Sequence, residues 1–454
     1  MPTPPLPEIP ARHSHWLLDP MVSVLPLAVV IGVVGALVVE SFRLAMDGLL
    51  HLYSSQSHLV AAAAAIPPWA RVLVPTLEAT AAGLTMWLGQ RWLRRPRGPE
   101  YMEAVRVGDG ELPVAPNLVR TGSSLLAVSG GITIGREGTM IQLAALVASL
   151  AGRLPRARAE HRRLTVACGA AAGFAAAYHA PIAGTLFVAE IILGGLQLRA
   201  MAPVLVAAVM GELTTQTLFA GGALYMAQAV PPLGFAEVLA GSLIGVAAGL
   251  IGPAFLWLLD AARHRTQALV RWLPLRFALA GLVIGLLSAV RPEVWGNGFS
   301  TVQALLQDPW VPGVLALVTL LRLLAVTTAS AAGIPGGVLT PTLALGGAMG
   351  LLLMHALPLG SAGPQADTLW TLVGMGSLLA ATTHAPAMSA IMMFEITRDY
   401  NVVLATLPAC VLASVLGSLL RPRSVYDEAL GLKPGGGGEA DEPADEAGPG
   451  PSKS

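Results

Sequence analysis

Apolar stretches broken by short polar or basic segments succeed one another along most of this chain, over residues 21–46, 71–93, 118–150, 164–193, 201–220, 235–259, 277–290, 311–326, 339–357, 369–381 and 402–420. Several exceed the ~20 apolar residues that a helix needs to cross a bilayer. Others are too short, or carry glycines in mid-run. The pattern predicts an all-α polytopic membrane protein containing tilted, broken and re-entrant helices, since irregular backbone survives at membrane depth only where protein or a cavity surrounds it. Residues 16–432 read as one transmembrane domain. Residues 1–15 read as a Pro-rich disordered arm, and 433–454 as a disordered Gly/Pro/acidic tail with no room for a regulatory domain.

Composition sharpens this. Of 454 residues, 54% are hydrophobic and 12% charged, against roughly 25% charged in soluble domains. A soluble α-bundle is thereby set aside. Net charge is zero, so bulk charge points to no partner, and no nucleic-acid partner is expected. Cys168 and Cys410 both lie in apolar runs and read as buried free thiols, without metal spacing. Basic clusters at Arg91, Arg94, Arg95, Arg97 and at Arg153, Arg156, Arg158, Arg162, Arg163 mark two cytoplasmic loops by the positive-inside rule.

Between residues 118 and 152 the only charged side chains are Arg120, Arg136 and Glu137. Gly130, Gly131, Gly135 and Gly138 crowd Glu137, and a helical apolar pattern follows. An ionisable group at such depth costs about 2.5–3.5 kcal/mol on the insertion scale, and marks a partner, a cavity or an ion path. A helix restarting there presents free N–H groups and a positive dipole end, which suits an anion. The alternative for Glu137 is a buried structural acid at a helix start.

The chain repeats itself. GAAAGFAAAYHAPIAGTLFVAE at 169–190 and GMGSLLAATTHAPAMSAIMMFE at 374–395 place His-Ala-Pro at the same offset and Glu190 or Glu395 nine residues after the proline. GIPGGVLTP at 333–341 is the second-half counterpart of the glycine turn before Glu137. Paired halves with broken helices are the plan of many secondary transporters. Glu190 and Glu395 read as helix-terminal acids bonded to backbone or Arg, with Glu190 also a candidate on a proton path. His179 and His384 read as supports of a kinked backbone.

At these residues the chain resembles the CLC family of chloride channels and anion/proton antiporters, over roughly residues 20–430. GREGT at 135–139 resembles the family's GREGP turn, GIPGGVLTP its GGIFAP turn, and FEITRDYNVV at 394–403 its LEMTDNYQLI helix end. GPEYMEAV at 98–105 lies where the family has its first selectivity turn, GSGIPE. The resemblance implies a CLC-type inverted repeat, a homodimer with one path per subunit, and a halide anion and proton as partners in a lipid bilayer. No cofactor or metal is expected. It makes Glu137 the gating and proton-carrying acid. It assigns anion binding to the amides of Arg136, Glu137 and Gly138 on one side, to those of Val338 and Leu339 on the other, and to the Tyr426 hydroxyl, although Tyr426 also reads as an interfacial aromatic. The expected setting is a bacterial inner membrane with cytoplasmic termini.

The departures carry information too. Pro96 stands at the family's central serine, Thr139 at the proline of GREGP, and Ile191 where antiporters carry an inner proton glutamate. These changes resemble the fluoride-transporting branch, which places a methionine near the first turn. Met102 is the nearby methionine. Thr340 reads either as a helix N-cap or as a selectivity donor to a small anion. Three function classes follow: anion/proton antiport, of chloride or fluoride; a passive anion channel of the same fold, favoured by Ile191; and an intramembrane enzyme, against which neither HExxH nor GxSxG occurs.

Overall fold

The computed structural model describes residues 24–429, apart from 94–98, 154–157, 196, 220–221, 231–232, 358 and 360. The arm at 1–15, the tail at 433–454, and Pro96 lie outside the described residues. Among them the chain forms eighteen α-helices and no strand. The first half holds α1 (Leu25–Leu50), α2 (Leu59–Ala65), α3 (Pro68–Leu93), α4 (Tyr101–Arg106), α5 (Val114–Ser129), α6 (Glu137–Ala151), α7 (Ala159–Tyr178), α8 (Pro181–Phe187) and α9 (Leu198–Phe219). The second holds α10 (Phe235–Leu269), α11 (Leu273–Val290), α12 (Phe299–Gln307), α13 (Pro312–Ala332), α14 (Leu339–Ala356), α15 (Pro364–Thr383), α16 (Pro386–Thr397), α17 (Asn401–Leu420) and α18 (Val425–Ala429).

Eight helices among the described residues are long and apolar enough to cross a membrane. The short apolar ones are α6, α8 with its continuation to Ile192, and α16. Two runs that look continuous in sequence are each split. Residues 118–150 divide at the glycine turn into α5 and α6, and 164–193 divide at His-Ala-Pro into α7 and α8.

The two halves pack by one scheme. α1 lies on α7 and α9, α6 on α7, and α7 on α9; correspondingly, α10 lies on α15 and α17, α14 on α15, and α15 on α17. The equivalent helices α3 and α11 pack against each other, as do α8 and α16. Small residues let these backbones approach, as expected where lipid supplies no hydrophobic drive between helices. A Cβ on Gly173 of α7 would lie 2.8 Å from the Cβ of Ala144 on α6, and one on Gly350 of α14 would lie 2.9 Å from the Cα of Gly374 on α15.

The repeated His-Ala-Pro is a turn with its own physics. His179 and His384 end α7 and α15 in the left-handed region, at φ 54° and 58°. The chain therefore leaves the helix abruptly, and the following proline opens the next one at its first position, where no N–H is needed. His179 Nδ1 lies 3.2 Å from a carboxylate oxygen of Glu212 on α9.

Nine residues beyond each proline, the glutamates exchange caps across the pseudosymmetry. Glu190 accepts the N–H groups of Ala387 (3.2 Å) and Met388 (2.8 Å) at the start of α16. Glu395 accepts those of Ile182 (2.9 Å) and Ala183 (2.7 Å) at the start of α8. Each half thus satisfies orphan donors of the other, which is the helix-terminal reading of both acids. A π turn at Val188–Ile192 carries Glu190, whereas α16 runs on regularly through Glu395.

Candidate anion site and gate

The two glycine turns meet. Gly135 N–H donates to Gly337 O at 2.7 Å, and Gly337 N–H donates to Gly135 O at 2.8 Å. This antiparallel bridge sets the starts of α6 and α14 side by side. It requires glycine: a Cβ at Gly135 would lie 2.7 Å from Gly337 O and 3.0 Å from Glu137 Oε2. At Gly138 a Cβ would lie 3.2 Å from Gly337 N. Residue 136 caps α6 and residue 338 caps α14, neither with a side-chain hydrogen bond. The first-turn N–H groups of Glu137, Gly138, Leu339 and Thr340 therefore have no acceptor within their own helices, and two positive dipole ends converge.

Glu137 stands among them, only 5% exposed. Its Oε1 accepts a 2.6 Å hydrogen bond from Asn297 Nδ2 and lies 3.7 Å from Arg136 Nε. Its Oε2 is buried without a protein partner. Arg136 also reaches Met46 Sδ on α1 at 3.5 Å. Thr139, where the related turn has proline, donates or accepts with buried Ser124 of α5 at 2.7 Å, so its hydroxyl is satisfied away from the glycine turn.

Thr340 is the second residue of α14, so it is not the N-cap; that position is Val338. Its hydroxyl pairs instead with the Tyr178 hydroxyl at 2.9 Å, both groups being buried. Tyr178 is the last residue of α7, held by Phe174 at a ring separation of 4.8 Å. Phe174 stacks on Phe187 (4.9 Å), and Phe187 meets Tyr426 edge-on (6.0 Å) and Tyr101 at a tilt (6.4 Å). An aromatic chain thus runs from Thr340 to Tyr426. Tyr426 itself sits on α18, which is clamped by Asp427 to Arg106 of α4 (2.7 Å) and by Glu428 to Arg421, which also pairs with Asp260 of α10. Met102 is buried on α4 in the main core cluster, against which Tyr426 packs.

A sequence model of the family described as voltage gated chloride channel matches residues 79–418. The chain belongs to this family, the CLC proteins. A voltage-gated ClC-type chloride channel ClcB of Citrobacter koseri is 44% identical over 408 residues, spanning 88% of this chain and 97% of its own. Among solved structures, a slow cyanobacterial Cl−/H+ antiporter shares the fold at a TM-score of 0.78 and 24% identity, over 90% of this chain and 97% of that one. A CLC-type fluoride/proton antiporter does so at 0.72 and 21%, over 89% and 97%.

Within this CLC chain, Arg136, Glu137, Gly138, Val338, Leu339 and Thr340 come together at the paired turns, and Tyr426 lies at the far end of the aromatic chain; Met102 is buried on α4, next in sequence to the Tyr101 that meets Phe187. Two further residues escaped sequence reasoning. Asn297, in the loop before α12, is Glu137's hydrogen-bond donor, 160 positions away. Tyr178 immediately precedes the repeated His-Ala-Pro, and the second half has Thr383 there. That asymmetry was a visible signal for Tyr178; nothing in the sequence pairs Asn297 with Glu137.

Proposed function

We propose that this chain exchanges a halide for protons across a bacterial inner membrane, with Glu137 as the coupling acid. One observation carries this reading: a buried carboxylate with an unpartnered oxygen stands where two helix starts converge. Ionised, it occupies the place an anion would take before those N–H groups. Protonated, it has no reason to stay, and withdraws. One group therefore admits anion and proton alternately, with the amides of Arg136, Gly138, Val338 and Leu339 and the Tyr426 hydroxyl as anion ligands. The functional unit in this reading is a homodimer with an independent path in each subunit, and transport involves no enzymatic step.

A passive channel is the second reading. It is favoured by the inner side of the path, where Ile191 is apolar and both oxygens of Glu190 are committed to α16. The names of the ClcB relatives speak for chloride. Fluoride export is favoured by the Thr340–Tyr178 hydroxyl pair, since a small, strongly hydrated anion needs compact donors in place of the serine hydroxyl that Pro96 lacks. Proteoliposomes under a pH gradient separate these readings. Antiport shifts the anion reversal potential with the proton gradient; an unshifted potential establishes the channel. Chloride and fluoride efflux measured side by side names the ion.

A further inference from the structure

Asn297 is fixed in an orientation that favours the ionised state of Glu137. Its Oδ1 accepts the N–H of Phe299 at 3.1 Å. The amide NH2 is therefore the group that faces Glu137, at 2.6 Å from Oε1. An NH2 group donates and cannot accept. It bonds a carboxylate oxygen about twice as strongly as the carbonyl oxygen of a neutral carboxyl group, and has no acceptor for the acid's O–H.

The loop that carries Asn297 is itself tied down from α13. Arg322, 2% exposed, donates through Nη1 to Glu293 O (2.7 Å) and Thr301 Oγ1 (3.2 Å), and through Nη2 to Gly296 O (3.2 Å). Gly296 N–H donates to Gly131 O at 2.9 Å, joining this loop to the glycine turn before Glu137. Gly296 and Gly298 flank Asn297 at φ 76° and 111°, a conformation open to glycine. The donor is thus held by a rigid frame that does not depend on Glu137.

We infer that Asn297 is a positioning residue that holds the ionised Glu137 carboxylate in its plugging position and thereby sets the pH at which the anion path opens. This rests on the reading of Glu137 as the gate. Other groups face Glu137 from every side: Arg136 on its own turn, Arg43 of α1 with its partner Glu40, Tyr178 of α7 and Tyr225 of the segment after α9. Arg322 acts from behind Asn297. Of these, Asn297 is the one whose bond to the carboxylate is short and direct.

The test is chloride efflux from proteoliposomes as a function of pH, for the parent, Asn297→Ala, Asn297→Asp, Glu137→Gln and the double variants. Asn297→Asp keeps an acceptor for Phe299 N–H, and so keeps the loop, while removing the donor. A hydrogen bond to a charged group is worth enough that its loss moves half-maximal opening upward by about one to two pH units in Asn297→Ala. Asn297→Asp moves it at least as far, because it adds a like charge. Neither substitution shifts the profile in the Glu137→Gln background. Unmoved profiles for both Asn297 variants, with Glu137→Gln still abolishing pH dependence, overturn the role of Asn297 alone. A shift that persists without the Glu137 carboxylate overturns it too. A pH profile that Glu137→Gln leaves unchanged removes the gate reading and this inference together.

Discussion

Replacing Glu190 by alanine strips the start of α16 of its acceptor. The two bonds it receives, at 3.2 and 2.8 Å, are charge-assisted. Hydrogen bonds to charged groups contribute about 1.5–3 kcal/mol each, and donors left without a partner cost a comparable amount. The longer bond counts at the low end, so Glu190→Ala should destabilise the fold by about 3–5 kcal/mol. Glu190→Gln retains one acceptor oxygen and should lose roughly half of that. Glu395→Ala and Glu395→Gln should follow the same order, because Glu395 makes the mirror-related pair of bonds to α8. Thermal unfolding in detergent, followed by loss of the monodisperse peak on size exclusion, measures the series. Proton flux driven by an anion gradient is then measured on the Gln variants, which retain one cap bond. The expectation is lowered stability with the proton-to-anion ratio unchanged. A Glu190→Gln protein as stable as the parent but carrying anion without protons would refute the reasoning, since the carboxylate would then act by titrating and not by capping.

Glu137→Gln should abolish proton coupling, and Glu137→Ala should leave a passive anion leak because the group that fills the paired helix starts is gone; proton pumping that survives in Glu137→Ala excludes the carboxylate from transport. Gly135→Ala should press its methyl against Gly337 O and Glu137 Oε2, at a cost of about 1–3 kcal/mol from overpacking, read as lowered thermal stability and lost anion binding by calorimetry; a normal variant would show that the bridge between the turns is dispensable. Thr340→Val and Tyr178→Phe each break the buried hydroxyl pair, and at about 1–3 kcal/mol per unpartnered group each should lower fluoride efflux about five- to a hundred-fold while sparing chloride leak; equal chloride and fluoride fluxes, untouched by either change, place the chain with chloride transporters. Asn297→Asp should raise the pH of opening only while Glu137 is present.

Much of this protein was legible along the chain, because membrane insertion is decided by local composition. Apolar run length predicted the spanning helices, and the glycine turns announced themselves as backbone breaks around an isolated acid. The repeated His-Ala-Pro and its trailing glutamate exposed the two halves before any contact was known. The sequence also placed Glu137, Gly138 and Leu339 at helix starts, since glycine followed by an apolar helical pattern has that local meaning. What it did not contain was who answers whom. That Gly135 bonds Gly337, that Glu190 caps α16 while Glu395 caps α8, and that Thr340 meets Tyr178 are all pairings across 162 to 213 residues. Thr340 looked locally like a cap and became a partner of Tyr178. Asn297 looked like an ordinary loop residue between glycines until Arg322 held its loop against the glycine turn. Propensity, hydropathy and turn chemistry act over one or two helical turns and are written in neighbouring residues. A buried donor finds its acceptor only after distant helices pack, and that pairing is a property of the tertiary structure.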